Sequence, residues 1–267
     1  MRDTTHPVPT LSAARRVFDL SLEGMLWGRR AVVMTVLLGL PVVFALLYRG
    51  VLLARLPARI AGYDLYRGLM AYFYVGNVLP LAALFYATSL VADEVDGKTL
   101  TYLTSRPITR PAIFGGKFAA FVVAAACICL PSAVVTFLLL ATARGVTGTA
   151  LAVPHLFRDL GVMVLTLLAY GGVFALMGVL MRRPLIPGLL FLYVWESLAN
   201  LPGYLPRFTL TAWLRSLLGH APAMRGAAAV GEKLPPEWCV AVLVGVAAAG
   251  LALSFAVFSR REYVLEQ

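Results

Sequence analysis

Six long apolar runs dominate this chain and restrict it to one kind of fold. They fall at about 31–48, 69–92, 118–141, 160–181, 184–201 and 238–258, and Glu196 is the one charged side chain inside them. A helix needs about 20 apolar residues to cross the ~30 Å hydrocarbon core of a bilayer, and each run approaches or exceeds that length. Lipid offers no water to backbone N–H and C=O groups, so only helices and closed barrels can cross it. Continuous apolar runs, rather than alternation with period 2, select helices. The expected fold is an all-α polytopic membrane protein of six spans in one domain, residues 1–267. A mean hydropathy of +0.83 excludes a soluble or disordered chain of this length. Pro41, Pro80, Pro131 and Pro187 lie inside the runs, where each removes a backbone donor and marks either a packing kink or a hinge. The polar first 30 residues, followed by a long apolar run, do not read as a cleaved secretory signal, so the first span is expected to be retained.

The net charge of +10 does not point to nucleic acid, because the basic residues are scattered singly and in pairs between apolar runs. That pattern suits lipid headgroups. Arg outnumbers Lys 20 to 3, which with the Ala, Gly and Leu richness suits a GC-rich bacterial genome and hence a bacterial inner membrane. Cys127, Cys129 and Cys239 fit neither a disulfide framework nor a metal spacing and read as packing residues. With six crossings, one side carries residues 1–30, 93–117, 182–183 and 259–267, with 13 Lys and Arg against 10 on the other. The pairs Arg15-Arg16, Arg29-Arg30, Arg182-Arg183 and Arg260-Arg261 all fall on the richer side, so both termini are expected in the cytoplasm.

Three polar segments carry the remaining information. Residues 11–28 place Ala14, Phe18, Leu22, Met25 and Leu26 on one helical face and Arg15, Arg16, Asp19 and Glu23 on the other, with Ser12 as a candidate N-cap. Such a helix is too polar to span and is expected to lie in the membrane interface or beside it. Residues 93–117 put Asp93 and Glu94 at the end of the second span, with Lys98, Arg15 and Arg16 as candidate counter-charges. Gly97 breaks the helix there, residues 98–105 form two short turns with Leu100 and Leu103 on one face, and Arg106-Pro107 stops them. The result is either a short helix held on the cytoplasmic surface, rimmed by Lys98, Arg106, Arg110 and Lys117, or an ordinary basic connector. In the long loop 202–237, Trp213, Leu214, Leu217 and Leu218 mark a short amphipathic piece over 211–220. Ten helical residues reach only about 15 Å, so the piece lies at the interface or dips back into the membrane.

The order of parts resembles the membrane subunits of ABC exporters, the type-two permease family. The residue-level likeness is the segment DE-x-x-G-K-T-L-x-Y-L-x-x-R-P-I-x-R-x-x-x-x-x-G-K, which runs through Asp93, Glu94, Gly97, Lys98, Thr99, Leu100, Tyr102, Leu103, Arg106, Pro107, Ile108 and Arg110 to Gly116 and Lys117. Asp96 departs from it, standing where the family often has a basic or polar residue. The resemblance implies that this segment is the coupling helix docking on a separate ATPase, and that the N-terminal helix, with Arg15, Arg16, Phe18 and Leu22, is the elbow. It further implies export, two ATPase copies that hold the ATP and Mg, a second permease copy or a homologous one, and no cofactor on this chain. It favours a re-entrant outer helix near the pathway exit, where Glu196 and Trp213 are the candidate pathway or gate residues.

The sequence holds no G-x-x-x-x-G-K-[ST], and its cytoplasmic segments are too short for a nucleotide-binding domain. His6, His155 and His220 are dispersed, with no metal or nucleophile pattern around them. The importer-type signature, Glu-Ala-Ala followed by a spaced Gly, is also missing. Two other classes remain open from the residues: an intramembrane enzyme built on Glu196 and a loop His, and a docking or regulatory membrane subunit. An isolated membrane carboxylate is more often structural or pathway-lining than catalytic, and transport is the leading expectation. Glu196 should point away from lipid, with Arg207 and Arg215 as candidate partners.

Overall fold

The computed structural model describes residues 10–54, 61–88, 90, 110–142, 146–181, 183–200, 204–218 and 235–260, and these contain helices and turns without a strand. In chain order the helices are α1 (Thr10–Leu26), α2 (Arg29–Leu53), α3 (Gly62–Ala87), α4 (Arg110–Ala141), α5 (Val146–Leu180), α6 (185–200), α7 (Leu210–Leu218) and α8 (Pro236–Arg260). Helices α2, α3, α4, α5 and α8 are long and apolar enough to cross a membrane. Helix α6, expected as a sixth crossing over 184–201, is shorter and changes pitch twice. It is α over Leu185–Leu190, π over Phe191–Trp195 and 3-10 over Glu196–Asn200.

The other long helices begin at or before the expected apolar runs. Helix α5 starts at Val146 instead of near 160, which places Pro154 and Asp159 inside it. Helix α3 starts at Gly62 and widens to π geometry over Leu69–Val78, with the Leu79 N–H reaching the Tyr74 carbonyl. Pro80 follows directly. In a regular α register its ring would press on the Gly76 carbonyl, and the wider register ahead of it relieves that clash.

Helices α4 and α5 form the centre: α4 packs against α1, α2, α3 and α5, and α5 against α3, α7 and α8. Buried residues along α2 are Ala31, Met34, Leu38, Pro41 and Ala45, while Val32, Val36, Leu40, Val43 and Leu47 are exposed on its other side. That division is the 3.6-residue pattern of a helix with one face on the protein and one on lipid. Helix α1 lies along α4; Phe18, Leu22 and Met25 are half-buried and Arg15, Arg16, Asp19 and Glu23 exposed. Ser12 falls inside α1, which begins at Thr10, so it is not the cap.

Small residues let the central backbones touch. A Cβ at Gly250 would stand 2.7 Å from the carbonyl of Gly172, and one at Gly172 would stand 2.8 Å from the Ala247 oxygen. Gly178 meets the Thr88 backbone in the same way at 2.9 Å. Dispersion between close-packed backbones replaces the hydrophobic drive that lipid does not supply. Gly172→Ala should therefore lower stability by about 1–3 kcal/mol, because backbone cannot step aside, whereas Gly161→Ala meets open space and should stay within about 0.5 kcal/mol. Thermal unfolding of the two variants in one detergent checks the contrast.

Candidate functional site

The bundle has two ends. One carries α1, the last turn of α3 and the start of α4; the other, called the loop end below, carries the end of α2, the start of α3 and the end of α4. Of the buried polar side chains, Thr136, Asp159, Thr166, Glu196, Thr209 and Thr211 lie in the middle of the bundle or toward the loop end, and Thr88 and Ser254 toward the other.

The largest cluster surrounds α7. Glu196, 5 % exposed, sits where α6 passes from π to 3-10 geometry. Its two carboxylate oxygens accept the backbone N–H groups of Leu210 at 3.2 Å and Thr211 at 2.9 Å. Thr209 caps the same helix end, its Oγ1 accepting the Ala212 N–H at 3.4 Å. A helix leaves its first N–H groups unsatisfied and carries partial positive charge there, so a carboxylate is the natural partner inside a dry bundle. The hydroxyls of Thr211 and Tyr170 share a hydrogen bond of 2.9 Å, which ties α7 to α5. Arg215, one turn further along α7, lies over the Tyr72 ring of α3 with its guanidinium carbon 4.6 Å from the ring centre. A Cβ at Gly76 would come within 3.2 Å of the Arg215 Nη2, so the widened turn of α3 leaves room for this side chain. Leu210, Ala212, Leu214, Leu217 and Leu218 are buried, and α7 is packed into the bundle rather than spread over it.

Two tryptophans fasten the short 3-10 turn Leu205–Phe208 that leads into α7. Trp195 donates to the Phe208 carbonyl at 3.2 Å and Trp213 to the Arg207 carbonyl at 2.8 Å. The Arg207 guanidinium lies over Tyr204. Arg215, expected near Glu196, is close enough for the two charges to interact.

A second cluster joins α3 and α5. Asp159 is fully buried and accepts the Tyr66 hydroxyl at 3.0 Å, and Tyr66 packs edge-on against Phe137 with ring centres 5.1 Å apart. Nearby, the Arg49 Nη1 of α2 donates to the Thr142 Oγ1 at 2.7 Å. In mid-bundle the Tyr74 hydroxyl bonds Ser132 at 2.8 Å and Thr136 at 3.1 Å, and Ser132 donates to the Leu38 carbonyl at 2.7 Å. That carbonyl is next to the one that Pro41 deprives of its usual donor. These bonds cross-link α2, α3 and α4 where an unpaired polar group would be costly.

Among the residues singled out from sequence, Glu196 on α6 bonds the start of α7, the helix that carries Trp213, while Arg15, Arg16, Phe18 and Leu22 lie on α1 and Lys117 is half-buried on α4. Arg110 opens α4. Asp93, Glu94, Gly97, Lys98, Thr99, Leu100, Tyr102, Leu103, Arg106 and Pro107 lie outside the described residues. Asp159 and Tyr66 are not visible to an apolar-run reading, because cutting the fourth run at its first charge assigns Asp159 to a loop. The available signal is the apolar 146–154 stretch ahead of it.

A family model described as "ABC-2 family transporter protein" matches residues 20–195, about two-thirds of the chain. This chain belongs to the ABC-2 transporter family. No curated protein matches it. As a member it is a multi-pass permease of an ABC transporter, and the matched stretch runs from within α1 to Trp195, ending just before Glu196.

Asp159→Leu leaves the Tyr66 hydroxyl without its acceptor and should cost about 1–3 kcal/mol. Asp159→Asn keeps an acceptor oxygen and should cost clearly less. Unfolding midpoints of the two purified variants give the order.

Proposed function

We propose that this ABC-2 permease is an export subunit whose pathway is driven by a separate ATPase docked on residues 98–107. The family match carries the reading, because it includes the Asp93–Lys117 segment whose residues resemble a coupling helix. Leu100, Tyr102 and Leu103 fill an apolar groove on the ATPase, and Lys98 and Arg106 orient the contact from its rim. ATP and Mg are bound by that partner, present in two copies. Helix α6 completes a sixth crossing, both termini lie in the cytoplasm of a bacterial cell, and α1 is the elbow in the inner leaflet. No nucleic acid is involved, and the lipid of the inner membrane is the remaining partner.

A second permease, identical or related, completes the unit. Its support is on α8, where Ala247 and Gly250 pack against Gly172 while Ala241, Gly245 and Ala249 remain exposed on the other side. That small-residue face suits close approach of another helix. The enzyme alternative loses ground because both oxygens of Glu196 are engaged by backbone amides.

The test is co-purification with a candidate ABC ATPase, with the mass of the complex and ATP hydrolysis measured. Leu100→Ala/Leu103→Ala should lose most of the bound ATPase and the transport-linked hydrolysis while the membrane part stays folded. Arg106→Glu should weaken docking in a salt-dependent way, by under ~1 kcal/mol if its charge sits on the rim. Full binding and hydrolysis by the double variant, or a complex containing one permease, would contradict the reading.

A further inference from the structure

The second half of α6 and the turn Leu205–Phe208 present aromatic rings and one guanidinium on the outside of the bundle. Tyr193 and Trp195 are 54 % and 45 % exposed, Tyr204 and Phe208 76 % and 69 %. Arg207 is exposed among them, its guanidinium carbon 5.2 Å from the centre of the Tyr204 ring. The two segments form one surface because the Trp195 indole donates to the Phe208 carbonyl.

Two counts along separate helices give the depth of this surface. Thr211, which follows the turn, bonds the Tyr170 hydroxyl at 2.9 Å, and Tyr170 stands at the middle of the charge-free stretch 160–181 of α5. Along α6, Trp195 lies ten residues past Leu185, a rise of at most about 15 Å, which is half of a ~30 Å hydrocarbon core. Both counts put the Trp195–Phe208 contact near mid-membrane. Rings are at home in lipid at that depth, but a guanidinium is not: intramembrane charges face a bundle interior or a water-filled cavity. The face that carries Arg207 therefore borders water. Its complementary guest is an anion, because the carboxylate beside it, Glu196, is 5 % exposed and turned onto the amides of Leu210 and Thr211. Arg binds phosphate and carboxylate through a fork of parallel donors, and exposed Trp, Tyr and Phe rings cover an apolar body at low entropic cost.

We propose that Tyr193, Trp195, Tyr204, Arg207 and Phe208 line the transport path and bind anionic amphiphiles, with Arg207 on the phosphate or carboxylate head and the rings on the apolar body. This names the substrate class of the permease reading above and rests on it.

The test reads the charge preference of a cysteine on this surface. Phe208→Cys is made in a background with Cys127, Cys129 and Cys239 replaced by Ala, and the full chain is placed in lipid nanodiscs, where reagents reach both faces. Leu40→Cys, exposed midway along α2, reports a lipid-facing position, and Ala125→Cys, buried in α4, a covered one. Rates with the anionic sulfonatoethyl and the cationic trimethylammonioethyl methanethiosulfonates are each divided by the rate with free mercaptoethanol. Phe208→Cys should favour the anionic reagent by about five-fold or more, Arg207→Gln should bring the ratio to within about two-fold of unity, and Arg207→Lys should keep the preference. Hexyl phosphate at saturation should slow the labelling by about five-fold, and hexanol at the same concentration should not. Phe208→Cys reacting as slowly as Leu40→Cys would put the surface in lipid, and as slowly as Ala125→Cys under a second subunit; either overturns the proposal. So does a charge preference that Arg207→Gln leaves unchanged, or equal protection by hexyl phosphate and hexanol. In the complex with its ATPase, hexyl phosphate should also raise ATP hydrolysis. Protection without that rise keeps the anion site and counts against the permease reading.

Discussion

The hydrogen bonds from the Leu210 and Thr211 amides to Glu196 make it possible for this chain to stop being a regular helix inside the bundle. Backbone at membrane depth must have its polar groups satisfied, and a helix that begins there exposes N–H groups with no partner of their own. Glu196 supplies two acceptors on one side chain, and Thr209 supplies a third for Ala212. With those amides satisfied, α7 can start within the protein, turn its leucines inward and still leave α5 and α8 in contact behind it. The carboxylate gains in return. A charge that would be costly in lipid faces a helix N-terminus, with Arg215 near enough to attract it.

The rest of the bundle obeys the same constraint by simpler means. Where helices cross without polar side chains, glycine brings backbone against backbone, as Gly172 does with Gly250 and Ala247. Where prolines interrupt the ladder, neighbouring hydroxyls and changes of pitch absorb the disturbance: Ser132 reaches the Leu38 carbonyl beside Pro41, and the π turns of α3 lead into Pro80. Asp159 is held by Tyr66 against the second apolar cluster of Ala45, Phe137, Leu140 and Leu156.

Much of this was legible from residues alone. Five of the six apolar runs are long helices, because an uncharged stretch of that length has no other stable form in lipid. Glu196 and the Trp213 to Leu218 piece stood out as a lone charge and a helix too short to cross, and they meet in space. Their bond was not legible, because its acceptors and donors are a side chain and two backbone amides separated by a connection whose path no periodicity encodes. Asp159 was hidden for a different reason: its charge defined the edge of an apolar run, although the helix continues past it to Val146. The pitch changes were hidden too, since Pro80 and Pro187 announce a disturbance but not whether it becomes a kink, a π turn or a hinge.

The central claim is that α6, sixteen residues with its last ten off α geometry, still carries the chain across the membrane, so that 93–109 faces the ATPase and the connection into α7 faces the opposite side. Single cysteines at Ser105 and Gly203, in a background with the three native cysteines replaced, test it in intact cells with an impermeant thiol reagent. The account predicts that Gly203→Cys is labelled from outside and Ser105→Cys only after the cells are opened. Labelling of Ser105→Cys in intact cells, or both positions reacting from the same side, would contradict it.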